Sequence, residues 1–293
     1  MGYSTGILTL LAINCIASLG VSLFTGFTGI YTLGHAGYMV IGAYTAAILT
    51  VQFNVNFIPA ILAGGLLAMV CAYLIGLPTL KLVGDYYTIA SLGLGEAIRL
   101  VIENWESVTR GARGYPGIEN YTTLPVVLAF FLVMTCGMFC LVNSRYGRAF
   151  KACRDDYVAA SLLGFNTARF RVLSLAVSGF YCGVAGALLA GFISFIQPVM
   201  FDMAKSTELV SVVVLGGLGS MSGCLIGTTI LTLVTELFRP ISKYRMLIYG
   251  LVLVLVMILR PEGIMGTNEL TLDYVKKHLG FGKKAEQPEK EGE

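Results

Sequence analysis

Hydrophobicity in this chain is organised in whole segments rather than in single turns. Apolar blocks alternate with short polar connections, and a block of about 20 mostly apolar residues is what a helix needs to cross the hydrocarbon of a bilayer. On that scale the sequence predicts nine crossings, near 6–24, 33–52, 57–78, 85–102, 124–142, 170–193, 206–219, 222–238 and 245–260. The expected fold class is all-α, a polytopic transmembrane helical bundle of about 8–10 spans in which some helices are broken at glycine. The expected organisation is a transmembrane domain over 1–266, containing one long polar connection at 144–169, and a polar tail over 267–293. Within the tail, Asn268 to Leu279 reads as a short amphipathic helix stopped by Gly280.

The connection from Asn143 to Arg171 orients the chain. It holds Arg145, Arg148, Lys151, Arg154, Arg169 and Arg171 against only Asp155 and Asp156, and short loops rich in Lys and Arg stay on the cytoplasmic side. Counting outward from there puts Lys81 inside, residues 103–122 outside and the tail after Arg260 inside. The exception is 239–245, where Arg239, Lys243 and Arg245 fall outside on this count, so one crossing in the last third is either re-entrant or miscounted.

Composition narrows the class. The chain is 56% hydrophobic and 13% charged, with a mean hydropathy of +0.78, whereas soluble domains carry roughly 25% charged residues. The 20 Lys and Arg against 17 Asp and Glu are too balanced for a nucleic-acid partner. The seven cysteines lie in apolar blocks except for Cys153, so no disulfide framework is expected. Cys136 and Cys140 are one helical turn apart but have no His, Asp or Glu beside them, and no metal site is expected. Met1 to Thr5 lacks the cationic start of a cleavable leader, and the apolar run after it reads as a span.

Glycine makes up 35 of the 293 residues, and two clusters interrupt apolar blocks. Thr25 to Gly37 contains Gly26, Gly29, Gly34, His35 and Gly37; Leu215 to Gly223 contains Gly216, Gly217 and Gly219. Irregular backbone at membrane depth is tolerated where it is buried in protein or lines a wet cavity, and broken helices of this kind often line a translocation path. Close helix packing is the other reading, and Gly183, Ala187 and Gly191 form a small-residue face that needs no further role. Ionisable residues inside apolar blocks are costly and mark candidate path residues. Here they are Glu96 with Arg99 one turn later, Glu208 and Glu236. The plainer alternatives are an interfacial ion pair for Glu96 and Arg99, a helix start at Glu208, and pairing of Glu236 with Arg239.

Enzyme chemistry is sparsely provided. His35 has no acidic neighbour in sequence, and Gly219 to Gly223 places Met221 where a nucleophile elbow needs serine. A phosphate-cradling G-x-x-x-x-G-K-[ST] motif is absent from the sequence. Uphill transport would therefore draw on an ion gradient or on another polypeptide. A self-sufficient carrier or channel would use Glu96, Arg99, Glu208 or Glu236 as ion sites; an intramembrane enzyme would centre on His35.

The polar connection itself predicts a short helix ending at Gly164, a turn at Asn166 and then entry into the next span. Such a helix is either a knob for a partner's groove or a segment held by anionic lipid. DDYVAASLLG, Asp155 to Gly164, resembles the EAA loop of ABC-importer permeases, with Val158 where the general motif has Glu. FTGFTGIYTLGHAGYMVIGAYTAA, GDYYTIASLGLGEAIRLV, SRYGRAFKACRDDYVAASLLGFN, VVVLGGLGSMSGCLIG and LRPEGIMG are similar, in order, to branched-chain amino-acid permeases. The resemblance implies a bacterial inner-membrane subunit working beside a second related permease, two cytoplasmic ATPases and an extracytoplasmic solute-binding protein. It implies no cofactor for this chain, ATP being bound by the partners. It also implies close packing of Ala159, Ala160 and Gly164 into an ATPase groove, with Arg154, Asp155 and Asp156 as the polar rim. The resemblance implies import of branched-chain or related amino acids, and relatives of similar sequence that carry urea, short amides or other amino acids leave those solutes as alternatives.

Overall fold

One helix organises the bundle. In the computed structural model, which describes residues 3–82, 84–237, 250, 254, 258 and 263–266, the span Thr167–Ile193 is a 27-residue helix whose middle is almost wholly buried. Asn166 caps its start by accepting from the Arg169 amide, which satisfies one of the free N–H groups every helix start presents. Around it lie, in chain order, α1 (Tyr3–Val21, continued by a π-helical turn over Ser22–Phe27), α2 (His35–Val51), α3 (Phe57–Thr79) and α4 (Asp85–Asn104). There follow a short α5 (Glu106–Thr109), then α6 (Leu124–Asn143), α7 (Arg145–Asp155), α8 (Tyr157–Leu162), the central helix as α9, α10 (Met203–Gly216) and α11 (Met221–Leu237). Two residues on either side, Tyr115–Pro116 and Phe195–Ile196, pair antiparallel and tie the α5–α6 loop to the end of α9.

Glycine is what lets helices touch α9. A Cβ on Gly42 of α2 would collide with the Gly183 carbonyl, one on Gly186 with the Met39 carbonyl, and one on Gly64 of α3 would stand 2.7 Å from the Gly42 carbonyl. In lipid there is no hydrophobic drive between helices, so such backbone approach supplies the packing. The same contacts give direction. Gly65 meets Val184 and Gly76 meets Leu175, so α3 runs opposite to α9. Cys182 donates to the Ala17 carbonyl while Gly6 faces Phe192, so α1 does too, as does α6, whose start lies beside Thr122, a donor to Leu188.

With the end of the bundle that carries the cation-rich α7 and α8 taken as the inner end, the other described connections divide between the same two ends that the charge count predicts. Lys81 is inside with the end of α3, and residues 105–123 are outside. α11 starts inside, where a Cβ on Gly223 would run into the Gly216 carbonyl, and ends outside, where Tyr3 donates to Glu236 at 3.3 Å. Residues 263–266 return to the inner end, the Ile264 amide donating to the Leu215 carbonyl at 2.9 Å. The predicted crossing at 245–260, the cations at 239–245 and the tail helix lie outside the described residues.

Spans differ from the count in length. Among the described residues four helices, Tyr3–Phe27, Phe57–Thr79, Leu124–Asn143 and Thr167–Ile193, are long and apolar enough to cross a bilayer alone. α2 and α11 have 17 residues and α10 only 14, which at 1.5 Å per residue is about 21 Å for α10. α2 begins beside Ser178, somewhat less than halfway along α9, and Lys205 near the start of α10 reaches Asn14, about halfway along α1. Both are partial-depth helices, and the chain that feeds each is irregular at membrane depth.

Two measurements check this arrangement. Gly42→Ala should destabilise the detergent-purified chain by about 1–3 kcal/mol, the usual cost of overpacking, read as a lower melting temperature, while Gly93→Ala, with open space around its Cα, should leave it unchanged. In a cysteine-free background, a cysteine at Ser161 should resist an impermeant maleimide added to intact cells and one at Glu119 should react; the reverse pattern would invert the topology.

Candidate functional site

The polar connection folds as two helices where the sequence predicted one. Ser144 caps α7 by accepting from the Tyr146 amide, and α7 buries Gly147, Ala149, Phe150 and Cys153 while turning Arg145, Arg148 and Lys151 outward. Burial pushes the Cys153 thiol up, against the opposing effect of the Arg171 charge, so it is a packed side chain rather than a reactive one. The break between the helices is Asp156, in extended conformation, whose carboxylate accepts from the Val158 and Ala159 amides at 2.8 and 3.1 Å. Asp156 is thus a helix cap, and Asp155 beside it is exposed.

α8 is a single exposed turn and a half. Ala159 is exposed, but Ala160 is turned into the protein at 2% exposure, so the two alanines face different ways. Gly164 has φ +86 and open space around it; its amide donates to the Ser161 carbonyl and the Phe165 amide to the Ala160 carbonyl. That is a left-handed helix stop, which favours glycine for conformational rather than packing reasons. The groups that project are ones the sequence reading passed over: Leu162 and Leu163, 83% and 77% exposed, with Tyr157 and Val158 about half exposed. Four large hydrophobes on a cytoplasmic loop were the available signal.

Above this knob the two glycine clusters meet. A Cβ on Gly26 would stand 3.0 Å from the Gly219 amide nitrogen. Gly29, Gly217 and Gly219 all have positive φ, and Gly216 and Gly217 pack on Gly223 and Gly266. Arg154 does not sit on an outer rim: its side chain lies against Gly29 and Gly219, and Nη1 donates to the Leu218 carbonyl at 3.4 Å. Lys151 adds a cation over the Phe27 ring, 5.6 Å away. Beside them a cavity of about 450 Å³ opens between Gly29–Leu33, the α3–α4 connection and Tyr157 with Arg171.

Deeper, the irregular stretch Thr28–Gly34 and the start of α10 converge. The Leu33 amide donates to Ser91 Oγ, Gly34 donates to Thr32 Oγ1, and the Ala36 amide at the start of α2 donates to Ser206 Oγ on α10. Asp202 caps α10 by accepting from the Lys205 amide. Gly34 and Gly37 allow α4 to approach: a Cβ on Gly37 would be 2.9 Å from Gly95 Cα. Leu33, Gly37, Glu96, Phe201, Asp202 and Ser206 border a narrow gap there, so two helix starts and two carboxylates lie at the same depth. His35 is elsewhere in purpose: it is fully buried between Phe24 and Tyr38 and shares a 2.6 Å hydrogen bond with Ser178.

The charges within the helical blocks are partly exposed and compensated. Arg99 binds Glu96 and also Glu103, each at 2.7 Å, and Lys205 binds Glu208 at 3.1 Å. Glu208 lies beyond the first turn of α10, so it is an ion-pair partner rather than a helix-start charge. Glu103 and Lys205 went unread in the sequence although their i,i+4 and i,i+3 spacings announce them. Ser91, Ser178 and Ser206 carried no such signal, because their partners are distant in the chain.

Comparison with known proteins places the chain in a family. Residues 3–258 match the model of the family described as branched-chain amino acid transport system / permease component. The chain is similar to the high-affinity branched-chain amino acid transport system permease protein LivM of Escherichia coli (strain K12), 31% identical over 88% of this chain and 69% of that one. It is also similar to LivH of the same organism, 28% identical over 89% and 94%, and to the probable branched-chain amino acid transport permease protein LivH of Methanocaldococcus jannaschii, 24% identical over 86% and 88%. No solved structure matches. A helical membrane bundle with a cation-rich inner loop, two glycine-broken segments and a family match over most of its length, the chain belongs to the branched-chain amino acid transport permease family.

Proposed function

We propose that this chain is one of two related permease subunits of an ATP-driven importer for branched-chain amino acids in a bacterial inner membrane. Two cytoplasmic ATPases dock on the inner face, and an extracytoplasmic solute-binding protein delivers the solute to the outer face. ATP is bound by the ATPases and the chain needs no cofactor. The transmembrane unit is 1–266 with the docking connection at 144–169, and 267–293 is a cytoplasmic tail.

The observation that carries this reading is α8, an exposed helix on the cytoplasmic side whose Leu162 and Leu163 are left uncovered by the described residues. Large apolar side chains projecting into water mark a contact surface. Asp156 fixes the start of the helix and Gly164 its end, so the knob is rigid. Leu162, Leu163, Tyr157 and Val158 supply the apolar contact, with Ala159 and Asp155 alongside; Ala160 holds the helix to the bundle.

The solute path runs past the mid-depth gap at Leu33, Ala36, Gly37, Glu96 and Ser206 and the wider inner cavity below it, with Leu33 common to both. The gap is closed and the cavity opens inward, as in a carrier resting with its inner side accessible. Gly26, Gly29, Gly216, Gly217 and Gly219 form the flexible inner ring. Helix starts at mid-depth favour the carboxylate of an amino acid, and the Glu96 and Asp202 carboxylates at the gap its ammonium, Glu96 keeping Arg99 as its other partner. With Arg99 and Glu208 each already paired, the charges act in shaping the path rather than as ion-coupling sites, and His35 is a packed core residue.

Mild-detergent purification of the tagged chain from its native membrane tests the assignment. The wild type should bring down an ATPase and a second permease in stoichiometric amounts. Leu162→Asp with Leu163→Asp should weaken ATPase retention by at least about 2 kcal/mol, roughly thirtyfold in Kd, as for a central interface anchor, without loss of membrane insertion. A chain that purifies alone, or a double variant that retains the ATPase fully, would contradict it.

A further inference from the structure

Docking at α8 can move the membrane only if something rigid connects the two, and α8 has little of its own: of its six residues only Ala160 is buried. α7 is the seated partner, held by Phe150 and Cys153, and Arg154 lies in its last turn, two residues before the cap of α8. Cytoplasmic arginines that serve topology alone stay in water, as Arg145 and Arg148 do. Arg154 instead turns toward the bundle and touches both glycine breaks at once. A Cβ on Gly29 would be 2.9 Å from Arg154 Cγ, and one on Gly219 would run into Nη1. Nη1 donates to the carbonyl of Leu218, in the turn between α10 and α11. A cation is well suited to that carbonyl, which lies just past the end of α10, because hydrogen bonds from charged donors are among the stronger ones.

We infer that Arg154 is a positioning residue, a latch that fastens the Gly29 segment and the Gly217–Ser220 turn to the end of α7 and so carries displacement of α8 to the solute path. The inference rests on α8 being the ATPase-docking helix. Gly29 and Gly219 are the seat of the latch: each has positive φ and each would block the arginine if it carried a side chain. Movement of the α7–α8 corner then pulls on both breaks together, the α1–α2 break that leads to Leu33 and the α10–α11 break at the other side of the inner ring.

The test uses the complete importer, with its ATPases and second permease, reconstituted in proteoliposomes, and reads uptake of labelled leucine per ATP hydrolysed. Arg154→Gln should retain the ATPases on purification while uptake per ATP falls about tenfold, within the usual range of coupling between sites. Arg154→Lys should recover part of the loss, since an ammonium still donates to the Leu218 carbonyl. Gly219→Ala, which keeps the arginine and fills its seat, should reproduce the Gln phenotype. An unchanged ratio in Arg154→Gln, or uptake and hydrolysis falling in parallel, would overturn the latch. Loss of the ATPases from the purified Gln variant would make Arg154 a rim contact instead and overturn it as well. Should Arg154→Gln not insert, a normal ratio in both Arg154→Lys and Gly219→Ala overturns it. A wild-type chain that retains no ATPase would fail the α8 assignment itself, a separate result.

Discussion

Hydrocarbon offers no hydrogen bonds, so every backbone group that leaves a helix inside a membrane must be met by protein. The stretch Thr28–Gly34 and the shortened starts of α2 and α10 exist under that constraint. Ser91, Thr32 and Ser206 meet the amides of Leu33, Gly34 and Ala36, Thr88 donates to the Tyr31 carbonyl at 3.2 Å, and Asp202 meets the start of α10. Remove these side chains and the irregular segments would have to become helix or leave the bundle. Because Ser91 and Thr88 sit on α4 and Ser206 on α10, the broken segment is tied to both helices, and the local hydrogen bonding and the proposed function share the same residues.

The second constraint is approach. α9 carries the bundle because glycine and alanine on α2, α3 and α9 let three helices meet at backbone contact, with Gly186 against Met39 and Gly42 against Gly183 as the closest α2–α9 approaches and Gly64 against Gly42 joining α3 to them. Packing of this kind is stiff. A stiff core beside hydrogen-bonded but irregular segments divides the molecule into a part that keeps its shape and a part whose few contacts can be exchanged, which is the mechanical requirement of a gate.

Much of this was legible in the chain. Block length announced the bundle, the cations of the 143–171 connection set its expected orientation, and the two glycine clusters marked both breaks, although close helix packing, as at Gly42 and Gly183, also draws glycine into apolar blocks. The depth of the breaks was not legible: that α2 and α10 start partway through the membrane depends on Ser178, Asn14 and Ser206, which are far away in sequence. The two faces of Ala159 and Ala160 were hidden for a similar reason, as the break at Asp156 resets the helical phase. Gly164 was correctly read as a stop, while Leu162 and Leu163 were overlooked because apolar residues are unremarkable in so apolar a chain. Arg154 counted as one cation among six; only the seat formed by Gly29 and Gly219 distinguishes it.

The central claim is that docking at the inner face controls access to the mid-depth gap. Its most direct test is the reactivity of a cysteine placed at Leu33 in the assembled, reconstituted importer, measured with a water-soluble maleimide applied to the cytoplasmic face. The account predicts labelling in the absence of nucleotide, when the inner cavity is open, and protection when a non-hydrolysable ATP analogue holds the ATPases closed. Equal labelling in the two states would contradict it.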